Sequence, residues 1–198
     1  MLVPKAKQLK KSLLRNYGVL QKKVFLNEIG VDDDIFFSSN TLRKSTREKY
    51  SFIDDERVLI FFGFIRKEKR LDLMLDIMTK LSVNYKLIVA GPIDKTIKND
   101  MQIQKLINQL SNRLILTGTI NQPKLNMLLN ASDLAVWPAN VSVGILQSSI
   151  VGLPSLYPDW AYDIYPISKE AIISDSKIDT IKEINNFLDN KTFYKEEL

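Results

Sequence analysis

The sequence predicts an α/β protein built on a doubly wound parallel sheet. From Arg57 onward, short runs rich in Val, Ile, Leu and Phe alternate with amphipathic stretches. The apolar runs are continuous, as expected for strands that are buried on both faces. Strands that alternate with helices predict a parallel sheet with helices packed on both sides.

This region is predicted to contain six strands and five helices. The strands are expected over residues 57–63, 85–90, 113–117, 133–137, 154–157 and 171–174. The helices are expected over residues 70–81, 97–110, 123–130, 143–151 and 178–189. Turn chemistry supports these limits, because glycine or proline stands at the predicted element ends: Gly91, Pro92, Gly118, Gly152 and Pro154.

The segment before residue 57 has a different pattern. A basic amphipathic helix is expected over residues 4–17, with Ala6, Leu9, Leu13 and Tyr17 on one face. A strand is expected over residues 23–29. A short charged helix over residues 42–50 follows a cap region at residues 38–40.

Composition limits the chemistry that this chain can perform. Its 198 residues, 45% hydrophobic and 26% charged, are enough for one well-packed domain. The sequence has no Cys and no His, so disulfides, thiolate nucleophiles, cysteine metal sites and an imidazole base are excluded. Any reaction must use carboxylates, ammonium or guanidinium groups, amides or the substrate itself.

The charge is unevenly distributed along the chain. The net charge is +5, and Met1–Lys23 carries seven basic residues and no acidic one. These basic residues are not interleaved with stacking aromatics, so nucleic acid is not an expected partner. No apolar run approaches the roughly twenty residues that cross a bilayer. We expect a cytoplasmic protein with at most peripheral contact at the inner face of the membrane.

Two turns form the expected site. Lys69 and Arg70 follow the first strand, and the fourth strand leads into a helix that begins near Ser142. In a doubly wound sheet these two strands are neighbours and their connections leave in opposite directions, which opens a crevice. A cationic loop facing a helix N-terminus is suited to holding a diphosphate, because amides and cationic donors point at one anion.

Five motifs in order give the sequence a family resemblance. They are Gly63-Phe-Ile-Arg-Lys-Glu-Lys-Arg-Leu-Asp72, Tyr85-Lys-Leu-Ile-Val-Ala-Gly91, Leu116-Thr-Gly-Thr-Ile120 with Pro123-Lys-Leu125, Ala131-Ser-Asp-Leu-Ala-Val-Trp-Pro138, and Gly152-Leu-Pro154. Together they resemble the C-terminal half of a GT-B glycosyltransferase of the retaining, nucleotide-sugar type called family four. The resemblance covers about residues 22–158 and implies a Rossmann-like domain over residues 57–198.

The resemblance implies a donor site for a nucleotide diphosphate sugar. It makes Lys69 and Arg70 the catalytic cations at the diphosphate, with no metal and no cofactor. The substrate-binding residues that it implies are Gly63, Phe64, Arg66, Gly118, Thr119, Ile120, Ala139, Asn140, Ser142, Val143, Gly144 and Gln147. Gly118 to Ile120 would meet the nucleobase, and Gln147 the ribose.

The sequence departs from the family pattern at three of these positions. Phe64 stands where the family has an arginine, and Arg66 or Arg70 could reach the same phosphate from the same turn. Ala139 and Gln147 stand where the family has two glutamates. Gln147 can still bond a ribose diol, although a neutral amide lacks charge assistance.

The resemblance also implies a separate N-terminal acceptor domain. Residues 1–56 would then be a basic helix, strand and linker segment that joins that half, which is deleted or separately encoded. Alternatively, the chain is a catalytically silent GT-B-like domain that acts as a partner or remnant of a split enzyme. A nicotinamide-binding domain is disfavoured, since no Gly-x-Gly-x-x-Gly follows the first strand. Bacterial polysaccharide biosynthesis is the setting that the resemblance suggests.

Overall fold

The structure, a computed structural model, describes residues 4–24, 30–158, 172–173 and 177–189. Its centre is a six-stranded sheet with the order β3-β2-β1-β4-β5-β6. Every neighbouring pair of strands is parallel. The strands are β1 (Arg57–Phe62), β2 (Tyr85–Ala90), β3 (Leu114–Gly118), β4 (Leu134–Val136), β5 (Ser155–Pro158) and β6 (Ile172–Ile173). The predicted doubly wound parallel sheet is confirmed, with β1 beside β4 at its centre.

Helices pack on both faces of this sheet. The helices of the described residues are α1 (Pro4–Asn16), α2 (Asn40–Lys49), α3 (Leu71–Lys80), α4 (Lys95–Lys98), α5 (Met101–Gln109), α6 (Gln122–Ala131), α7 (Gly144–Ile150) and α8 (Lys177–Asp189). Helix α3 packs against α5 and α8, whereas α2 packs against α6. Because parallel crossovers are right-handed, the reversal of strand order at β1 and β4 places α3 and α6 on opposite faces.

The core follows from the continuous apolar strands. Residues Val58 to Phe62 of β1 are at most 1% exposed, as expected for a strand that is covered on both faces. At the carboxyl end of the sheet, the rings of Phe62 and Trp137 pack with centroids 5.1 Å apart and planes at 55°. This tilted arrangement is a favourable aromatic geometry. The two rings form a rigid layer at the strand ends that lead into the predicted site.

Two of the predicted elements differ from the structure. The helix predicted over residues 97–110 is divided into α4 and α5, because Asp94 and Asp100 each cap a new helix. The Asp100 carboxylate accepts from the amides of Gln102 and Ile103, at 2.8 and 3.1 Å. The strand predicted over residues 23–29 begins instead in a short 3₁₀ helix, Gln21–Lys23, and residues 25–29 lie outside the described residues. Residues 171 and 174 of the last predicted strand also lie outside them.

Helix α2 is fixed to the amino end of the sheet by a charged cluster. The Asp133 carboxylate accepts from Arg43 Nη2 at 2.7 Å, from the Val58 amide at 2.8 Å and from Arg47 Nη1 at 3.5 Å. Phe36, which precedes α2, is 1% exposed and belongs to the core. The domain boundary at residue 57 stays a prediction, although Phe36 and α2, which precede it, pack against the rest of the domain.

Candidate functional site

The two predicted turns meet at the carboxyl end of the sheet. Strands β1 and β4 pair directly, with Leu59 opposite Leu134. The turn that follows β1 contains a short 3₁₀ helix, Lys67–Lys69. From it, Lys69 Nζ donates to Ser142 Oγ in the turn after β4, at 3.2 Å. The strand order therefore creates the crevice that sequence reasoning predicted at the switch point.

Lys69 is a buried cation with neutral partners. Its side chain donates to the Phe62 carbonyl at 3.3 Å in addition to Ser142, and the residue is 8% exposed. Within the described residues, no carboxylate lies within 4 Å of its ammonium group. Burial lowers the pKa of Lys69 from its ordinary value of 10.5 to about 8. The negative charge of an anion bound here would offset the free-energy cost of removing the ammonium group from water.

Two glycines allow the turns to come this close. Gly63 has a φ of +108°, and a Cβ at this position would lie 3.0 Å from Lys69 Nζ. A Cβ on Gly144, at the start of α7, would lie 2.7 Å from the Phe62 ring. Any side chain at either position would displace the ammonium group or the helix. Both glycines therefore let the two turns pack together, and their part in substrate binding stays a prediction.

A depression of about 240 Å³ opens above Lys69. Its lining residues are Phe64, Arg66, Glu68, Lys69, Asn140 and Ser142. Five of these six residues belong to the predicted set, and Glu68 is the addition. Pockets for whole small molecules typically occupy about 300 to 1,000 Å³. The depression is therefore smaller than a typical pocket for a whole small molecule.

Arg70 has a different environment from Lys69. Its guanidinium group is paired with Asp72, with Nη2 2.8 Å from Oδ2 and Nε 3.0 Å from both carboxylate oxygens. These hydrogen bonds raise the pKa of Arg70. Burial acts to raise the pKa of Asp72, but the bonds from Arg70 outweigh it and the net shift is downward. Arg70 lines a second cavity with Thr96 and Ile97, whereas Lys69 lines the depression beside Ser142, and their joint action on a diphosphate stays a prediction.

The remaining predicted residues follow strands β3 and β4 in the chain. Thr119 and Ile120 follow the edge strand β3, whose Gly118 carbonyl accepts from the Gly91 amide at 3.0 Å. Two strand spacings separate β3 from β1, which is about 10 Å. Ala139 and Gln147 are half-buried, and Val143 is exposed. None of these residues lines the depression above Lys69.

Helix α7 begins without a side-chain cap of its own. The Ser142 hydroxyl oxygen instead accepts from Lys69 Nζ and, at 3.4 Å, from the Gly144 amide. Because its oxygen accepts from both groups, the hydroxyl hydrogen remains available to a ligand. Ser142 therefore links the cationic turn to the start of α7.

The described part of the chain holds no cluster of three or more Asp or Glu residues in positions to bind a metal ion. None of its helices has both the length and the apolar character that a membrane crossing requires.

The strand order and the cationic crevice at the switch point define a Rossmann-like α/β domain. A family model described as "Glycosyl transferases group 1" matches residues 43–145, about half of the chain. The chain therefore belongs to this family of glycosyltransferases. A search of curated proteins finds no match to its sequence.

Solved structures share the fold at low sequence identity. HepE (Alr3699) of Anabaena in complex with UDP has a TM-score of 0.77 and 13% identity, over 93% of this chain and 53% of that protein. WaaG, a glycosyltransferase involved in lipopolysaccharide biosynthesis, has a TM-score of 0.74 and 18% identity, over 94% and 52%. This chain thus spans about half the length of these two proteins.

A solved structure of an isolated domain matches this chain over most of the length of both chains. The C-terminal domain of the group 1 glycosyltransferase LpcC from Francisella tularensis has a TM-score of 0.66 and 16% identity, over 83% of this chain and 91% of that domain. The predicted fold class, the C-terminal half of a GT-B fold, is confirmed by these structural matches.

Proposed function

We propose that this chain is the donor-binding domain of a retaining GT-B glycosyltransferase that takes a nucleotide diphosphate sugar. The proposal rests on Lys69, a buried ammonium group whose partners among the described residues are a carbonyl and a hydroxyl. A buried cation of this kind is costly unless it is paired. The diphosphate of the donor would supply the missing negative charge, and Ser142 would donate its hydroxyl hydrogen to a phosphate oxygen.

The rest of the donor would lie along the carboxyl edge of the sheet. We place the nucleobase near Gly118 to Ile120, where little side chain obstructs a flat ring. Gln147 would face the ribose, and the sugar would project over Ala139 and Asn140. The structures of HepE contain UDP, or UDP-glucose, and share this fold, which supports a uridine nucleotide as the first donor to test.

Catalysis would consist of electrostatic stabilisation of the departing diphosphate. Lys69 and Arg66 would lie beside the oxygens on which charge develops, in a partly desolvated site where such contacts are strong. In a retaining mechanism without a metal ion, the departing phosphate oxygen takes the acceptor proton on the same face of the sugar. The acceptor would be held by a separate domain, since the chain spans about half the length of its structural relatives.

Calorimetry with UDP-glucose and a guanosine diphosphate sugar tests donor binding. Lys69→Ala should weaken binding at least about tenfold, because a charge-assisted contact is lost. Lys67→Ala is the matched control, since Lys67 lies two residues away, is exposed and does not line the depression. Absence of binding at millimolar donor, or full affinity after Lys69→Ala, would contradict the proposal.

A second function, a catalytically silent partner domain, has one observation in its favour. Glu68 is the only carboxylate that lines the described depression, and Ala139 and Gln147 are not acidic. Such a domain would bind a donor or a partner chain without transferring sugar. Purification with a candidate acceptor half, followed by a sugar-transfer assay, separates the two functions. Transfer by the pair supports a split enzyme, whereas a stable complex that binds donor without transfer supports the silent domain.

A further inference from the structure

We propose that Phe64 is a positioning residue that holds the Arg66 guanidinium at the depression. Arg66 and Lys69 would then bind one diphosphate from two sides. This inference rests on the proposed function and names a further pair of residues for it. The sequence predicts both residues as substrate-binding but does not predict a contact between them. The stacking of Arg66 on Phe64 is seen only in the structure.

The Arg66 guanidinium lies over the face of the Phe64 ring. Its Cζ is 4.7 Å from the ring centroid, within the roughly 6 Å over which a cation and an aromatic face attract each other. Both side chains line the depression above Lys69. Phe64 is 42% exposed, and the guanidinium of Arg66 covers one face of its ring.

Arg66 also retains free donors, unlike Arg70. In the described part of the chain no hydrogen bond or ion pair occupies its guanidinium group. The pKa of Asp94 is lowered chiefly by hydrogen bonds from Thr96 and to a smaller degree by the charge of Arg66, but the two do not form an ion pair. A guanidinium with free donors can bind phosphate in a bidentate manner. The ring fixes the guanidinium without using those donors.

The two cations would act on the diphosphate in different ways. Both residues line the depression, but Lys69 is buried whereas Arg66 is exposed to solvent. Salt screens exposed charges much more than buried ones. The contribution of Arg66 should therefore shrink as ionic strength rises, while that of Lys69 should change little. Holding Arg66 in place before the ligand arrives reduces the ordering cost of binding.

Calorimetry on the full chain tests this inference, with UDP-glucose and with inorganic pyrophosphate as probes. Pyrophosphate reports on the diphosphate contacts alone, whichever nucleotide is preferred. Arg66→Ala should weaken binding of both probes about tenfold at low salt. Phe64→Leu, which keeps an apolar side chain but removes the ring, should weaken binding about threefold. Phe64→Trp should bind as wild type or more tightly, because Trp is the better partner for a cation.

The decisive measurement is the combination of the two substitutions. Phe64→Leu should cause no further loss in an Arg66→Ala background, because Phe64 acts only through Arg66. Additive losses, or an unchanged affinity for Phe64→Leu alone, would overturn the inference. If Lys69→Ala weakens binding but Arg66→Ala does not, only this inference fails. If Lys69→Ala has no effect, or the wild type binds neither probe, the proposed function fails and this inference with it.

Discussion

Positive charge is held in opposite ways at the two ends of the sheet. At the amino end, Arg43 and Arg47 contact the buried carboxylate of Asp133 at 2.7 and 3.5 Å. At the carboxyl end, Lys69 is similarly buried, and in the part of the chain that the structure describes its ammonium group contacts a carbonyl and a hydroxyl but no carboxylate. Removing one partner of a paired buried charge leaves the other charge uncompensated, whereas a buried charge without a counter-charge is a candidate for binding a ligand.

The amino-end cluster also completes the hydrogen bonds of α6. Arg43 donates to the carbonyls of Asn130 and Ser132, and Arg47 donates to that of Ala131. These carbonyls lie at the end of the helix, where intrahelical partners are missing. Cationic donors at this position also match the negative end of the helix dipole. The cluster thus joins α2, α6 and β1, and nothing in its geometry requires a ligand.

The largest expected effect is loss of stability on removing the Asp133 charge. Asp133→Asn should lower the free energy of unfolding by about 3 to 5 kcal/mol, because two guanidinium groups lose their buried counter-charge. Urea unfolding followed by circular dichroism measures it. The control is Asp72→Asn, whose exposed pair with Arg70 should contribute less than about 1 kcal/mol. Equal, small losses in the two variants would show that the amino-end cluster is not structural.

The opposite result is expected for the charge at the carboxyl end. Lys69→Met keeps the length of the side chain and removes the desolvated ammonium, so the free energy of unfolding should rise by on the order of 1 to 3 kcal/mol at pH 7. The same variant should lose donor binding in calorimetry. Lys67→Met, at an exposed position, should change neither quantity. If Lys69→Met destabilises the fold as Asp133→Asn does, the charges at the two ends of the sheet both serve stability, and the contrast between them is wrong.

The pH dependence of stability sharpens the same contrast. The folded pKa of Lys69, about 8, lies below its ordinary value of 10.5, so the unfolded chain binds more protons between these pH values. The free energy of unfolding should therefore rise with pH over that window. The destabilisation caused by the buried Lys69 ammonium group is fully present below pH 8. The difference between wild type and Lys69→Met in urea unfolding should shrink from pH 7.5 to pH 9.5. An unchanged difference would show that the pKa of Lys69 is not depressed.

Donor binding should follow the opposite pH trend. Only the protonated form of Lys69 attracts a diphosphate, so affinity should be constant well below pH 8 and should fall by up to about tenfold per pH unit above it. A nucleotide sugar is the suitable probe, since its diphosphate is esterified at both ends and has no second ionisation near neutral pH. Calorimetry from pH 7 to pH 9 measures this trend. Flat affinity across the range would mean that the donor does not contact Lys69.

The sequence was sufficient to predict the sheet and the place of the crevice. Continuous apolar strands alternating with helices lead to one common strand order, and this order alone brings Lys69 to Ser142. The direction of Arg70 could not be predicted in this way. It depends on a left-handed backbone at Arg70, with a φ of 56°, and on Asp72 two residues later. In the sequence, Asp72 is an acidic residue in the first turn of α3, and its spacing from Arg70 does not identify it as the partner of the guanidinium.

Contacts between neighbouring side chains also could not be predicted from the sequence. The spacing of Phe64 and Arg66 does not reveal that one stacks on the other, because a turn allows many side-chain directions. The division of the predicted helix at Asp100 is different, since the capping aspartate was visible in the sequence. The roles of Ala139 and Gln147 stay predictions, because they depend on where a ligand lies.

The smallest expected effect is that of Arg70. Arg70→Ala should change donor affinity by less than about threefold and stability by less than about 1 kcal/mol, because its guanidinium is engaged by Asp72 at an exposed position. Arg66→Ala is the matched comparison, with an expected loss of about tenfold. The two guanidinium groups lie in the same short turn and differ chiefly in whether a carboxylate already occupies them. If Arg70→Ala weakens binding as much as Arg66→Ala, the donor diphosphate draws Arg70 away from Asp72, and the original pairing of Lys69 with Arg70 is correct.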